Sequence, residues 1–150
     1  MCIRHYQGER LICQLQYEAA VQQGLHIGTV KSRLEHWPWT SSKNRKTETA
    51  MARLRIGHSR LKENLYRFHL ADSPNCDTCG VPETPVHILE VCQRFTAERA
   101  IMQQSLQKID VLSTNMKTLL GGGRYDAATQ EGIRTAVEHF LTSSGAINLI

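Results

Sequence analysis

The chain has no long apolar run. Across its 150 residues nothing approaches the roughly 18 consecutive apolar residues of a membrane-spanning helix, and Arg4, His5, Gln7, Glu9 and Arg10 interrupt the N-terminus where a signal-like apolar stretch would sit. The expectation is a soluble, intracellular protein with no membrane partner. Aromatic residues are few, 6% of the chain against 41% hydrophobic residues in all, which suits one domain, or one and a half, with a modest core. No Asp-Asp pair occurs, and the fourteen acidic residues are scattered. Phosphoryl-transfer sites built on two metal ions need grouped carboxylates, so no polymerase or nuclease centre is expected. Acidic residues are scarcest in the first half: residues 1–70 hold 12 Lys or Arg against 5 Glu, whereas residues 71–150 hold 6 against 9 acidic residues. A polyanion should meet the first half.

Cysteine is concentrated instead. Cys76-x2-Cys79-x7-His87-x4-Cys92 places three thiols and an imidazole within seventeen residues. Together they make a complete tetrahedral shell for Zn²⁺ with no position left for water or substrate, which points to structure rather than catalysis. The two-residue spacer lets a tight turn aim both sulfurs at one point, and Gly80 can supply the positive φ that such a turn needs just after it. Thr84-Pro85 reads as a helix start, with Thr as N-cap and Pro at the first helical position. His87 then falls in the first turn. Cys92 lies about 140° further round an ideal helix of 3.6 residues per turn, so both reach one metal only if the helix ends or unwinds near Cys92. The spacing predicts a short helix over 85–91.

Two other readings of the cluster stand beside this one. Buried cysteines can act as plain small hydrophobes, with His87 unrelated to them. A redox CxxC would leave His87 and Cys92 unexplained and has no strand before it. A RING or LIM module needs eight ligands, and only Cys2 and Cys13 remain, more than sixty residues upstream, as free thiols without an assigned role. Thiols used as metal ligands also fit a reducing compartment.

The fold class expected is mainly α, several short helices around a small CCHC zinc knuckle, with no substantial sheet. Leu11, Ile12, Leu15 and Ala19 suggest an amphipathic helix over 9–23, stopped by Gly24. Residues 36–44 read as a polar linker. Helical character resumes near Thr47, with Met51 and Leu54 apolar, until Gly57-His58; Ser59 can then cap a helix carrying Leu61, Leu65 and Phe68. Residues 94–109 form a helix through Phe95, Ile101, Leu106 and Ile109, and Ser113 caps a short one ending at Leu119-Leu120-Gly121. The last helix is capped by Asp126, buries Ile133, Ala136, Val137, Phe140 and Leu141, and ends near Ser143-Ser144-Gly145. The corresponding segments are 1–36, N-terminal and helical; 37–70, basic and helical; 71–95, the knuckle; and 96–150, C-terminal helices.

Basic residues are densest at Lys43, Arg45 and Lys46, followed by Arg53, Arg55, Arg60, Lys62 and Arg67, with Trp37, Trp39, Tyr66 and Phe68 among them. Cations neutralise phosphates and aromatic faces stack bases, the combination that single-stranded nucleic acid selects. A solvated helix face with a few core aromatics is the alternative. Were the two helical pieces continuous, Arg53, Arg60 and Arg67 would make a heptad-spaced stripe, but Gly57 stands against continuity. Tyr66 is the stacking candidate and Phe68 the core one, since they point to different helix faces. His58 reads either as a phosphate or base donor or as a local cap.

Met51-Ala52-Arg53-Leu54-Arg55-Ile56-Gly57-His58-Ser59-Arg60-Leu61, then Asp72-Ser73-Pro74-Asn75-Cys76-Asp77-Thr78-Cys79-Gly80-Val81-Pro82-Glu83-Thr84, then Val86-His87-Ile88-Leu89-Glu90-Val91-Cys92, resembles the C-terminal tail of non-LTR (LINE-type, jockey-like) retrotransposon polyproteins. Trp37-Pro38-Trp39-Thr40-Ser41-Ser42 is similar to the segment that introduces this stretch, and the likeness covers about residues 37–95. It implies a zinc-knuckle nucleic-acid-binding tail downstream of reverse transcriptase and ribonuclease H domains, with Cys76, Cys79, His87 and Cys92 as ligands. The seven-residue spacer before His87 is longer than that of the retroviral nucleocapsid knuckle, so that module's base pocket does not carry over. The carboxylates of reverse transcriptase, ribonuclease H and the restriction-like endonuclease are missing. The expectation is a non-enzymatic, zinc-stabilised tail that binds RNA or single-stranded DNA; the alternative is a protein-interaction module that docks on the polymerase or ribonuclease H part of a parent polyprotein.

Overall fold

A computed structural model describes residues 13–20, 22, 30 and 44–150. The architecture is mainly α, and no strand is found among the described residues; one isolated antiparallel bridge joins Asn75 and Pro82. None of the described helices is long and apolar enough to cross a membrane. Residues 13–20 and 22 are helical, within the expected 9–23; the rest of that helix, the Trp37–Ser42 segment and Cys2 lie outside the described residues.

Helix α1 spans Arg45–Ile56 and buries Thr47, Ala50, Met51 and Leu54, a single stripe at i, i+3, i+4 and i+7. It starts two residues before the expected Thr47 because the Asn44 side chain accepts the Lys46 N–H at 3.0 Å. Gly57 ends it in the left-handed conformation, φ +77°, so α1 and the next helix are separate and the arginine stripe is broken. Helix α2, Lys62–Arg67, begins later than expected. Ser59 is buried and accepts from Asn64 Nδ2 at 3.3 Å, and Leu61 takes the N-cap position without a side-chain cap bond. A polar side chain this close to an apolar stripe is worth more as a buried hydrogen-bond partner than as a cap.

Helix α3, Thr96–Gln107, packs along α5, Ala127–Ser143, more extensively than any other described pair. Phe95 meets Phe140 edge to face, ring centroids 6.0 Å apart, in the middle of the core. The buried face of α3 is Arg99, Met102 and Leu106; Ile101, expected in the core, is 48% exposed. Helix α4, Met116–Leu119, is capped by Asn115, which accepts the Thr118 N–H at 2.8 Å, rather than by Ser113. Asn115 stands immediately before the first helical residue, where its oxygen reaches N3; Ser113 is two residues too early. Asp126 caps α5 as expected, accepting from Thr129 N–H at 2.7 Å, and the expected stripe from Ile133 to Leu141 is buried. Beyond α5 a short 3-10 turn, Ala146–Asn148, brings Ile150 into the core, where its backbone oxygen accepts from Arg53 Nη1 at 3.1 Å and from the Arg60 N–H at 3.3 Å.

The glycines after α4 do more than stop it. A Cβ on Gly122 would lie 1.8 Å from the backbone oxygen of Val30, itself fully buried. Backbone cannot yield as a flexible side chain can, so Gly122→Ala should lower the melting temperature by roughly 5–10 °C, the equivalent of about 2–3 kcal/mol of overpacking. A thermal melt followed by circular dichroism reads this directly.

Candidate metal centre

The metal-capable residues come from a turn and a helix start facing each other. In the turn, Cys76 N–H donates to Val81 O at 2.8 Å, Gly80 N–H to Cys76 O at 2.8 Å, and Glu83 N–H to Pro74 O at 2.9 Å. Gly80 has φ +70°, the conformation expected of it. Across from it, Thr84 Oγ1 accepts the His87 N–H at 3.0 Å, the N-cap bond expected there, and Pro85 and Val86 follow as the first helical residues.

The helix then widens. His87–Val91 is a π turn, closed by Cys92 N–H to His87 O at 2.7 Å, after which Cys92 leaves in an extended conformation. This resolves the angular difficulty of the x4 spacing. An i→i+5 turn brings the fifth residue back over the first, where an α-helix would have carried it past. The helix expected over 85–91 is present in position but differs in type.

His Nδ1 or Nε2 and the three sulfurs all lie within 4.8 Å of one another. Cys92 Sγ stands 3.9 Å from Cys76 Sγ and 3.9 Å from Cys79 Sγ. A disulfide would need about 2.05 Å, whereas a tetrahedron with metal–sulfur bonds of about 2.3 Å has an edge of roughly 3.8 Å. Cys76, His87 and Cys92 are buried and Cys79 is partly exposed. Both His87 nitrogens are buried with no hydrogen-bond partner, a costly arrangement for an imidazole unless a cation takes one of them. The donor set therefore fits a metal ion held by three thiolates and one imidazole.

The surroundings set the charge of these groups. Burial pushes the Cys92 thiol up to about 11. Burial also raises Cys76, but the N–H groups of Cys79 and Thr78 and the neighbouring thiols outweigh it and hold that thiol below its ordinary value. Burial lowers His87, with Glu83 opposing and Arg99 and Arg94 adding to the effect. A metal needs a neutral imidazole and thiolates; the shifts of His87 and Cys76 run toward those states and that of Cys92 runs against them.

Arg99, to which the sequence reading gave no role, holds this centre from beneath. Its guanidinium is buried and donates to Leu89 O at 3.0 Å, Ile88 O at 3.2 Å and Cys92 O at 2.8 Å. They lie at the end of the π turn, where Cys92 O also accepts the Phe95 N–H at 3.2 Å. The one available signal was a charge on the stripe Arg99, Met102, Leu106, where an apolar residue belongs. Two acidic residues tie the Cys76–Cys92 segment to its neighbours: Glu83 Oε1 accepts the Lys62 N–H at 3.2 Å, and Glu90 Oε1 accepts the Met116 N–H at 2.7 Å.

The basic residues separate into two sets. Arg53 donates to Ile150 O, and Arg55 Nε donates to Leu120 O at 3.3 Å, with burial bringing Arg55 down to about 10. Both hold the fold together. Lys46 Nζ reaches Asn148 Oδ1 at 2.7 Å, Lys62 pairs with Asp77, and Arg67 donates to Asn64 Oδ1 at 2.7 Å. Arg45, Lys46, Arg60, Arg67 and Tyr66 are exposed, and Lys62 partly so; Lys43 lies outside the described residues. Phe68, expected in the core, is 52% exposed, because α2 ends before it and turns the chain away. Cys13 is exposed and remains without a role. The chain matches no family model, no curated protein and no solved structure.

Proposed function

We propose that the chain is a non-catalytic nucleic-acid-binding module fastened by Zn²⁺, and that it derives from the C-terminal tail of a non-LTR retrotransposon polyprotein. Three thiolates and a neutral imidazole favour zinc over harder cations, and the 3.9 Å sulfur separations suit its tetrahedral shell. With all four positions filled, the metal has none for a substrate. Nuclease activity with added Mg²⁺ is not expected.

The observation that carries the reading is the way the knuckle grips the basic segment. Glu83 takes the first N–H of α2 and Asp77 pairs with Lys62, so the metal loop fixes α2 and the break before it. Arg45, Lys46, Arg60 and Arg67 are then left at the surface. A centre with three thiolates carries about −1 and repels phosphate, so attraction to RNA or single-stranded DNA falls to these cations. Binding to an unstructured oligonucleotide should weaken with salt, with a slope of log K against log salt between about −2 and −4, as expected for three to five phosphate contacts on a single strand. A flat dependence would sink the proposal.

A second reading has its own support. Val81, Val86 and Val91 of the knuckle are 46%, 42% and 61% exposed, apolar surface that suits docking on a polymerase or ribonuclease H domain of a parent polyprotein. That reading requires weak oligonucleotide binding and capture of the knuckle by those domains.

A further inference from the structure

Of the three phenylalanines, Phe95 and Phe140 meet in the core and Phe68 stands outside it. Its position is not one where exposure is expected. Leu61 at the N-cap and Asn64 and Leu65 within α2 make its inward face, and Phe68 lies seven, four and three residues on from them, the spacing of the same face. The helix closes one residue early. Leu70 N–H reaches back to Leu65 O at 2.8 Å, and His69 takes the left-handed conformation, φ +58°, at the position where such a reversal normally has glycine. A ring-bearing residue there carries strain that glycine would not.

Other flat groups gather round the exposed ring. The His58 imidazole lies 6.4 Å from the Phe68 ring, centroid to centroid, with planes 27° apart, and the Arg67 guanidinium carbon is 5.4 Å from the same centroid. Tyr66, two residues before Phe68 and on a different face of α2, is 49% exposed. Residues 45–69 hold seven Lys or Arg against two Glu. Exposed rings capped by a guanidinium on a strongly basic segment suit a ligand with both π-faces and negative charge. A peptide rarely offers both at close repeat, and duplex nucleic acid hides its base faces.

Building on the nucleic-acid reading above, we propose that Phe68, with the His58 imidazole beside it, forms a stacking platform for the unpaired bases of a single strand, with Arg67 and Arg60 on its flanking phosphates. Each stacked base should strengthen binding on the order of tenfold. Specificity is then for single strands over duplex, with little preference for sequence.

The test uses the full zinc-loaded chain and fluorescence anisotropy on three probes: an oligothymidylate of about 12 nucleotides, an abasic deoxyribose-phosphate strand of the same length, and a duplex. The base-bearing strand should bind about tenfold tighter than the abasic one. Phe68→Ala should erase that difference and leave abasic binding unchanged, while Phe68→Trp restores it. Because Phe68 is half exposed, its removal should leave the thermal melt in place, so a binding defect is not a folding defect. Equal, salt-sensitive affinity for the base-bearing and abasic strands, or a silent Phe68→Ala, overturns the platform and leaves the phosphate reading standing. No measurable binding to any strand overturns both.

Discussion

Replacing Cys79 by Ser should unfold residues 74–95 and take much of the domain with them. Cys79 is partly exposed, so in a site without metal the exchange of one sulfur for one oxygen would cost under about 1 kcal/mol. In a metal shell it removes one of four ligands. A structural zinc contributes on the order of 10 kcal/mol to a small module, as much as the whole stability of an ordinary domain. The wild-type protein should lose its melting transition on treatment with a strong chelator, and native mass spectrometry should record one bound zinc. Cys79→Ser should bind no zinc and melt alike with and without chelator. An unchanged melting temperature in the variant, together with chelator-insensitive wild type, would falsify the assignment.

Arg99→Met comes second in size. The methionine chain fills most of the aliphatic volume, so the change isolates the guanidinium. Two buried carbonyls, Ile88 and Leu89, lose their Arg99 donor and Cys92 O keeps only the Phe95 N–H, and each orphaned group costs about 1–3 kcal/mol. The expected loss is about 3–5 kcal/mol, in line with breaking a buried charged contact. It should appear in two measurements: a lower melting temperature, and zinc lost to a competing chelator about 10–100-fold more readily, the usual range when the groups that orient metal ligands are removed. Arg99→Lys keeps the charge but cannot span three carbonyls, so it should recover only part of either effect. Equal zinc retention in Arg99→Met and wild type would reduce Arg99 to a packing residue.

What could be read from the sequence was what depends on neighbours along the chain. The gathering of Cys76, Cys79, His87 and Cys92, the positive φ of Gly80, the Thr84 and Asp126 caps and the stripe of α5 are settled within a few residues, and each is present as expected. The choice among competing polar groups was less visible. Ser59 or Leu61, and Ser113 or Asn115, differ by where the chain enters from elsewhere, and tertiary contacts decide that. Ile101 and Arg99 are the clearest case: hydropathy assigned the buried face to isoleucine, but the face that meets the π turn needed a donor for bare carbonyls, and arginine occupies it. Phe68 stands where helical spacing predicts burial, and only the early closure at His69 moves it out. The basic segment read as one charged stripe because sequence shows charge and not the partner it meets; Arg53 and Arg55 meet backbone carbonyls inside the fold.

The π turn at His87–Val91 has a consequence for how such a segment can change length. A π turn is an α turn carrying one extra residue. With three residues between histidine and cysteine, an ordinary α turn already puts both on one side; with four, the wider turn does so. Deletion of a single residue between His87 and Cys92 can thus be absorbed by switching from the π turn to an α turn, with both side chains kept on one side. The turn is a slack link, one residue longer than the minimum needed to set His87 and Cys92 side by side.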